Sequence, residues 1–357
     1  MGLGKGDRWL IGVSTLLLGA AALTRYVPAG RVLPFVVAAA ALASVAAVVG
    51  RAVDGLGDRL GSGATGVLQS ALGNLPELLF GIFALRKGLV SVVEGTLVGS
   101  ILSNVLLVLG LAIVVGGARH GTQRFAAERA RMMALLLLLA VAILVVPTGT
   151  AQLQLPAAAH EPALSAIASV VLLALFVLAI PPSLRPAAAH AAGGGRDPGG
   201  VPRAAWPVGT AIGLLAASAI AAAAVSDWFV ASLTPALSTL HISQTFAGLV
   251  IVAIAGNAVE NVVGIQLAAR DRMDYALSIV LQSPLQIALA VAPMLVLLSG
   301  VLGGARLTLA FPPLQLVALG LTALVAVVVV FDGESTWLEG ACLLGLYVVL
   351  AAAFWWG

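Results

Sequence analysis

Charge is scarce in this chain. Only 9% of its 357 residues are Asp, Glu, Lys or Arg, and 61% are hydrophobic, whereas a soluble domain carries about 25% and roughly 45–50% respectively. So few charged groups cannot coat a water-soluble body of this size, which excludes the soluble enzyme classes. Cysteine is nearly absent: Cys342 stands alone, which excludes a disulfide framework and a multi-thiolate metal site. Histidine is thin as well. His120, His160, His190 and His241 all fall at loops or at the ends of apolar runs, which argues against a histidine metal centre. No phosphate-binding P-loop and no nucleophile elbow occurs, so the energy for any transport should come from an ion gradient and not from ATP. The alternating ten-residue pattern of outer-membrane strands is also missing, which favours helices over a barrel.

What the chain does have is long apolar runs. About 20 residues of helix cross a hydrocarbon core of roughly 30 Å, and the runs predict eleven spans, near residues 9–27, 32–50, 61–85, 90–116, 130–147, 162–181, 207–226, 244–269, 274–300, 307–331 and 336–356. The first follows Lys5 and Arg8 and reads as a retained helix, because its apolar run continues past the small residues Gly19 to Ala22 that could mark a cleavage site. With eleven spans the loops alternate between sides, and thirteen of the eighteen basic residues then share a side with the N-terminus. The positive-inside rule places that terminus in the cytoplasm and the C-terminus outside. Sixteen Arg against two Lys, with abundant Ala and Gly, is the composition of a GC-rich bacterium, so the expected compartment is its inner membrane. The stretch from Pro181 to Pro207 holds GGG at Gly193, PGG at Pro198 and three arginines, and reads as a basic cytoplasmic linker.

The sequence repeats itself. GNLPE at Gly73 to Glu77 returns as GNAVE at Gly256 to Glu260, and the register holds beyond it without a gap. Leucine and valine matches in so apolar a chain decide nothing. Gly73 and Gly256, Asn74 and Asn257, Glu77 and Glu260, and Ser100 and Ser283 are different, because four polar or small matches at one offset are poorly explained by chance. The expected fold is therefore an all-α polytopic membrane protein: a leading helix in residues 1–31, a first five-helix repeat in 32–182, the linker in 183–206 and a second five-helix repeat in 207–357. Five is odd, so the two copies must cross the membrane in opposite senses. Inverted repeats of that kind place substrate near the bilayer midplane, at their interface.

Of the fifteen acids, only Glu77 and Glu260 lie deep within an expected span. An ionised acid at a helix centre costs about 2.5–3.5 kcal/mol on insertion scales, so the pair needs a cavity, a counter-ion or protons. The competing structural explanation is two protonated glutamates hydrogen-bonded across a helix pair. Gly and Asn before each glutamate loosen the helix, and Pro76 removes a backbone donor. Where a ladder breaks, freed carbonyls can turn towards a cation. Asn74 and Asn257 add neutral oxygens, and SILSN at Ser100 to Asn104 and SPLQ at Ser283 to Gln286 follow in register, so that Ser103 matches Gln286 and Asn104 lies beside it. Hard oxygens without thiolate or imidazole suit Ca2+ or an alkali cation and not zinc or copper.

GNLPELLFGIFALRKGLVSVVEGTLVGSILSNVLLVLG from Gly73, GNAVEN from Gly256 and DGESTWLEG from Asp332 closely resemble the Ca2+/H+ antiporters, the cation/proton exchanger branch of the calcium/cation antiporter superfamily. The resemblance implies a leading helix plus two inverted five-helix repeats, and exchange of cytoplasmic Ca2+ for external protons. It implies Glu77 and Glu260 as the cation and proton ligands, with Asn74, Asn257, Ser100, Ser103, Asn104, Ser283 and Gln286 around them. The sodium/calcium exchanger branch usually has an acid where Gln286 stands, so a neutral residue there favours proton coupling. The chain departs from the pattern at Asn261, where His is frequent, at Gln282, where Gly is usual, and at Pro284.

Two carboxylates a few ångströms apart cannot both ionise cheaply without a cation, so metal and protons should compete for one pair of sites. Counting that pair alone gives one Ca2+ for two H+. Na+ or K+ exchange for H+ on the same fold, a passive cation channel and a membrane scaffold with protonated acids are the alternatives. The partners expected are the cation, protons and the lipid bilayer, with no resident cofactor, no nucleic acid and no enzyme chemistry. Asp332 and Glu334 are expected either to attract cations or to cap the final helix.

Overall fold

The structure is a computed structural model, and it describes residues 4–27, 29–60, 73–184 and 208–356. The apolar runs fold as helices because inside a bilayer each backbone N–H and C=O must be satisfied within its own segment. In chain order these are α1 (Lys5–Tyr26), α2 (Leu33–Leu60), α3 (Leu75–Arg86), α4 (Val90–His120), α5 (Ala127–Gln152), α6 (Glu161–Leu184), α7 (Val208–Leu240), α8 (Gln244–Gly256), α9 (Ala258–Ala268), α10 (Met273–Ser299), α11 (Pro313–Val329) and α12 (Trp337–Trp356). Among the described residues eight helices are long and apolar enough to cross a membrane, or nine if the pair α8 and α9, bent by 63°, is one span. The 17-residue α11 is a shorter apolar helix. The chain is thus an all-helical, multi-pass membrane protein. Residues 61–72 of the span expected at 61–85, and residues 185–206 of the linker expected at 183–206, lie outside the described residues.

Two expectations need correction. The loop expected after residue 226 is helix, because α7 continues to Leu240 through Pro235, so Asp227 sits inside a helix. The run of alanines before that acid and the Ala and Leu after it favour helix, and a single Asp in so apolar a run does not end it. Likewise α5 runs on through Pro147 to Gln152.

Contacts divide the chain into two compact units, Met1–Phe80 with Ala174–Ala236, and Gly81–Leu173 with Leu237–Gly357. In the first, Asp7 of α1 and Arg51 of α2 form an ion pair at 2.9 Å, and Phe229 of α7 meets the rings of Phe35 at 5.1 Å and Phe80 at 5.6 Å. Only 11% of the apolar window of α1 is buried, so this helix turns most of its surface outward.

The second unit is built on α4 and α10, whose apolar windows are 78% and 83% buried. Glycine lets α4 and α8 cross with their backbones almost touching: a Cβ on Gly99 would lie 2.0 Å from the Leu249 carbonyl oxygen, and one on Gly248 2.3 Å from that of Val92. Three helices carry a π-helical segment, at Ser103–Val108 in α4, Ala247–Val252 in α8 and Ile287–Val291 in α10. Each such segment rotates the side chains that follow it, a device frequent at functional sites.

Polar side chains tie the loops at both ends of this unit. At the start of α5, two short strands, β1 (Gln123–Arg124) and β2 (Glu334–Ser335), pair antiparallel, and the Asp274 carboxylate accepts the Ala126 N–H at 2.6 Å. Near its other end Thr148 donates to the Leu309 carbonyl at 2.8 Å and accepts from the Phe311 N–H at 3.1 Å, while the Ser165 hydroxyl accepts from the Leu309 N–H at 3.0 Å.

Candidate cation site

The site grows from the break between α8 and α9. The helix stops at Gly256, and Asn257 leaves helical geometry with φ −94° and ψ 18° before α9 restarts at Ala258. That break frees the Asn257 side chain, fully buried, to work across three helices. Its Nδ2 donates to Ser100 Oγ of α4 at 3.0 Å and back to the Ala253 carbonyl at 2.8 Å. Its Oδ1 accepts from Ser283 Oγ of α10 at 3.1 Å. Ser100, Asn257 and Ser283 therefore form one buried hydrogen-bonded chain, and all three belong to the register-matched set read from the sequence.

Around this chain lie oxygens whose hydrogen bonding is incomplete. Asn104, fully buried, donates its Nδ2 to the Ser100 carbonyl at 2.9 Å, yet its Oδ1 has no partner among the described residues. Glu260, in the first turn of α9, has a buried Oε2 in the same condition, as does the Oδ1 of Asn261 beside it. Buried acceptors without donors are rare in folded proteins. A cation or a proton is what such oxygens lack. Ser103 and Gln286, also expected at the site, are buried in this unit at 0% and 5% exposure.

Asn74 and Glu77 fall in the other compact unit. Asn74 is buried and its carbonyl accepts the Leu78 N–H at 3.1 Å, while Glu77 is half-buried in the first turn of α3. Each deep glutamate thus sits at the third position of a helix that starts just after an Asn, where unsatisfied N–H groups and the helix dipole favour negative charge. Among the described residues no three or more His, Cys, Asp or Glu side chains gather as a metal site.

The spacing of the sequence reappears in the elements. Helices α3 and α9 begin at Leu75 and Ala258, and α4 and α10 at Val90 and Met273, so both pairs keep the offset that relates Glu77 to Glu260. The π-helical segments of α4 and α10 begin at Ser103 and Ile287, a single position away from the same offset.

Other groupings were not legible beforehand. Glu94 of α4 and Glu161 of α6 lie within electrostatic range of each other, and Glu161 accepts the Thr308 hydroxyl at 2.7 Å. No motif in the sequence links the two. Within DGESTWLEG, Glu334 pairs with Arg124 at 3.1 Å, and the capping role falls to Glu339, whose Oε2 accepts the Thr336 N–H at 2.6 Å. Asp332 accepts the Glu334 N–H at 3.1 Å.

Comparison with known proteins follows the same lines. Residues 31–181 and 210–356 match the family described as sodium/calcium exchanger protein. The Ca2+/H+ antiporter of Aphanothece halophytica is 32% identical over 338 residues, covering 90% of this chain and 89% of its own. The Ca2+/H+ antiporter ChaA of Bacillus subtilis (strain 168) is 32% identical over 332 residues, covering 90% and 91%. The solved structure of native YfkE superposes with a TM-score of 0.79 at 30% identity, covering 98% of this chain and 99% of that one.

Proposed function

The chain belongs to the sodium/calcium exchanger protein family, and on that premise we propose that it is a secondary Ca2+/H+ antiporter in which cation and protons compete for Glu77 and Glu260. The observation that carries this reading is the buried chain Ser100–Asn257–Ser283, together with Glu260 Oε2 and Asn104 Oδ1, which have no hydrogen-bond partner among the described residues. The relatives named Ca2+/H+ antiporter, each matched over about 90% of its length, support the choice of ions.

The physical cycle follows from charge. Ca2+ takes 6–8 oxygens at about 2.3–2.6 Å, and two carboxylates would neutralise it while amide and hydroxyl oxygens fill its shell. Asn74, Asn257, Ser100, Ser103, Asn104, Ser283 and Gln286 are the neutral donors of this scheme. With the cation gone, the paired acids must take up protons, since two bare carboxylates in a low-dielectric interior are costly. Loaded with Ca2+ or with two protons the site is neutral and can change its exposure; empty it cannot, and this couples the fluxes. No covalent step and no resident cofactor is needed.

The finer architecture belongs to the same proposal: eleven spans, as one leading helix and two inverted five-helix repeats. The helix starts that recur at the offset of the sequence repeat support it, and so does the polar tying of loops at opposite ends of the second unit. The charge bias supports an N-terminus in the cytoplasm of a bacterial inner membrane, with export of Ca2+.

The test is reconstitution into liposomes with an imposed pH gradient, scanned over Ca2+, Na+ and K+. Ca2+ should dissipate the gradient saturably, and Glu77→Gln and Glu260→Gln should each abolish the exchange while the protein stays monodisperse. Full activity in either variant removes that residue from the site. Cation flux that ignores the proton gradient removes the antiport mechanism.

A further inference from the structure

A cavity of about 190 Å3 opens in the first unit, between the end of α1, the start of α2 and one face of α7. Arg25 and Arg31 line it together with Thr24, Trp228 and Ser232, and no carboxylate is among its lining residues. Both arginines are exposed, and neither has an ion-pair partner among the described residues. Asp227, next to Trp228 in sequence, has an interaction of its own and does not line the cavity. Isolated basic residues at span ends usually mark nothing beyond topology. Two in one concavity are a different matter here, because the loops on that side of the chain hold only five of the eighteen basic residues.

We infer that this cavity binds the phosphate group of an anionic phospholipid. The guanidinium fork matches a phosphate through two parallel hydrogen bonds, and the amphipathic Trp228 ring suits the headgroup level of a bilayer. A cavity of this size takes a phosphate-sized group and not a whole lipid. The walls beside it explain where the rest goes. Leu23 and Tyr26 of α1 and Leu33 and Val36 of α2 are 62%, 82%, 53% and 53% exposed, which offers acyl chains an apolar path beside the cationic pocket. A site for a free anion has no use for such a wall; an amphiphile fits both parts. The N-terminus of α2, which begins at Leu33 just after Arg31, adds positive potential at the same spot.

The experiment uses the full chain, delipidated in a neutral detergent. Phosphatidylglycerol, phosphatidylcholine and inorganic phosphate are titrated separately, with lipid retention read by native mass spectrometry and the unfolding midpoint by fluorescence. Phosphatidylglycerol should bind and raise the midpoint; phosphatidylcholine and inorganic phosphate should not. Arg25→Gln/Arg31→Gln should weaken phosphatidylglycerol binding by about tenfold or more, whereas Arg306→Gln, outside the cavity, should leave it unchanged. If the double variant fails to fold, each single variant should show a partial loss. Equal phosphatidylglycerol binding by wild type and the arginine variants overturns the site, and a response to inorganic phosphate alone overturns its assignment to lipid.

Discussion

Replacing Gly99 by Ala adds one methyl group to a helix interior, which in isolation stabilises by about 0.5–1 kcal/mol. The structure reverses that sign. The new Cβ would stand 2.0 Å from the Leu249 carbonyl oxygen and 2.5 Å from its carbonyl carbon, where ordinary contact begins at 3.4 Å, so α4 and α8 must move apart. The obstacle is backbone and cannot swing aside. Overpacking of this kind costs about 1–3 kcal/mol. The displacement also travels, because α8 ends at Gly256, immediately before Asn257. Separating α8 from α4 far enough to restore ordinary contact stretches the Asn257 to Ser100 bond from 3.0 Å to beyond hydrogen-bonding distance, which adds about 1–3 kcal/mol for the partner left unsatisfied. Gly99→Ala should therefore lower the unfolding midpoint and slow the initial rate of Ca2+-driven proton movement by at least about tenfold, or roughly 1.4 kcal/mol, although the methyl group touches no candidate ligand. The control is Gly320→Ala in α11, where a Cβ meets nothing within 4 Å and stability should hold or rise slightly. Wild-type exchange and an unchanged midpoint in Gly99→Ala would refute the coupling between this crossing and the site.

Asn257→Ala removes the donor to Ser100 and the acceptor of Ser283 together; it should cost about 2–4 kcal/mol and raise the Ca2+ concentration needed for half-maximal exchange, both read on the purified protein. Asn257→Asp keeps the acceptor and should fall between that variant and wild type in midpoint. At the far end of the unit, Thr148→Val orphans the buried Phe311 N–H and should lower the midpoint by the equivalent of about 1–3 kcal/mol. Thr150→Val, which loses only a bond to Pro147 within its own helix, should change it little.

The sequence alone determined the solvent this chain lives in, the positions of most helices and the two acids that a membrane interior would not tolerate idly. Those conclusions rest on local quantities: run length, charge and the helix-breaking chemistry of Gly, Asn and Pro. It also determined that Asn257 lies at a break, because Gly-Asn before an acid repeats at a fixed offset. Which partners Asn257 reaches was decided by tertiary structure, since Ser100 is 157 residues away in sequence. The same is true of glycine. Of forty glycines, composition cannot say that Gly99 and Gly248 hold two backbones together while Gly320 faces open space, because the difference lies in what stands opposite. Glu334 and Glu339 are equal as letters, and only the neighbouring Arg124 and Thr336 N–H give one an ion pair and the other a helix cap. A local pattern can name a group that needs a partner; only the packed chain can supply one, because partners come from segments the pattern never compares.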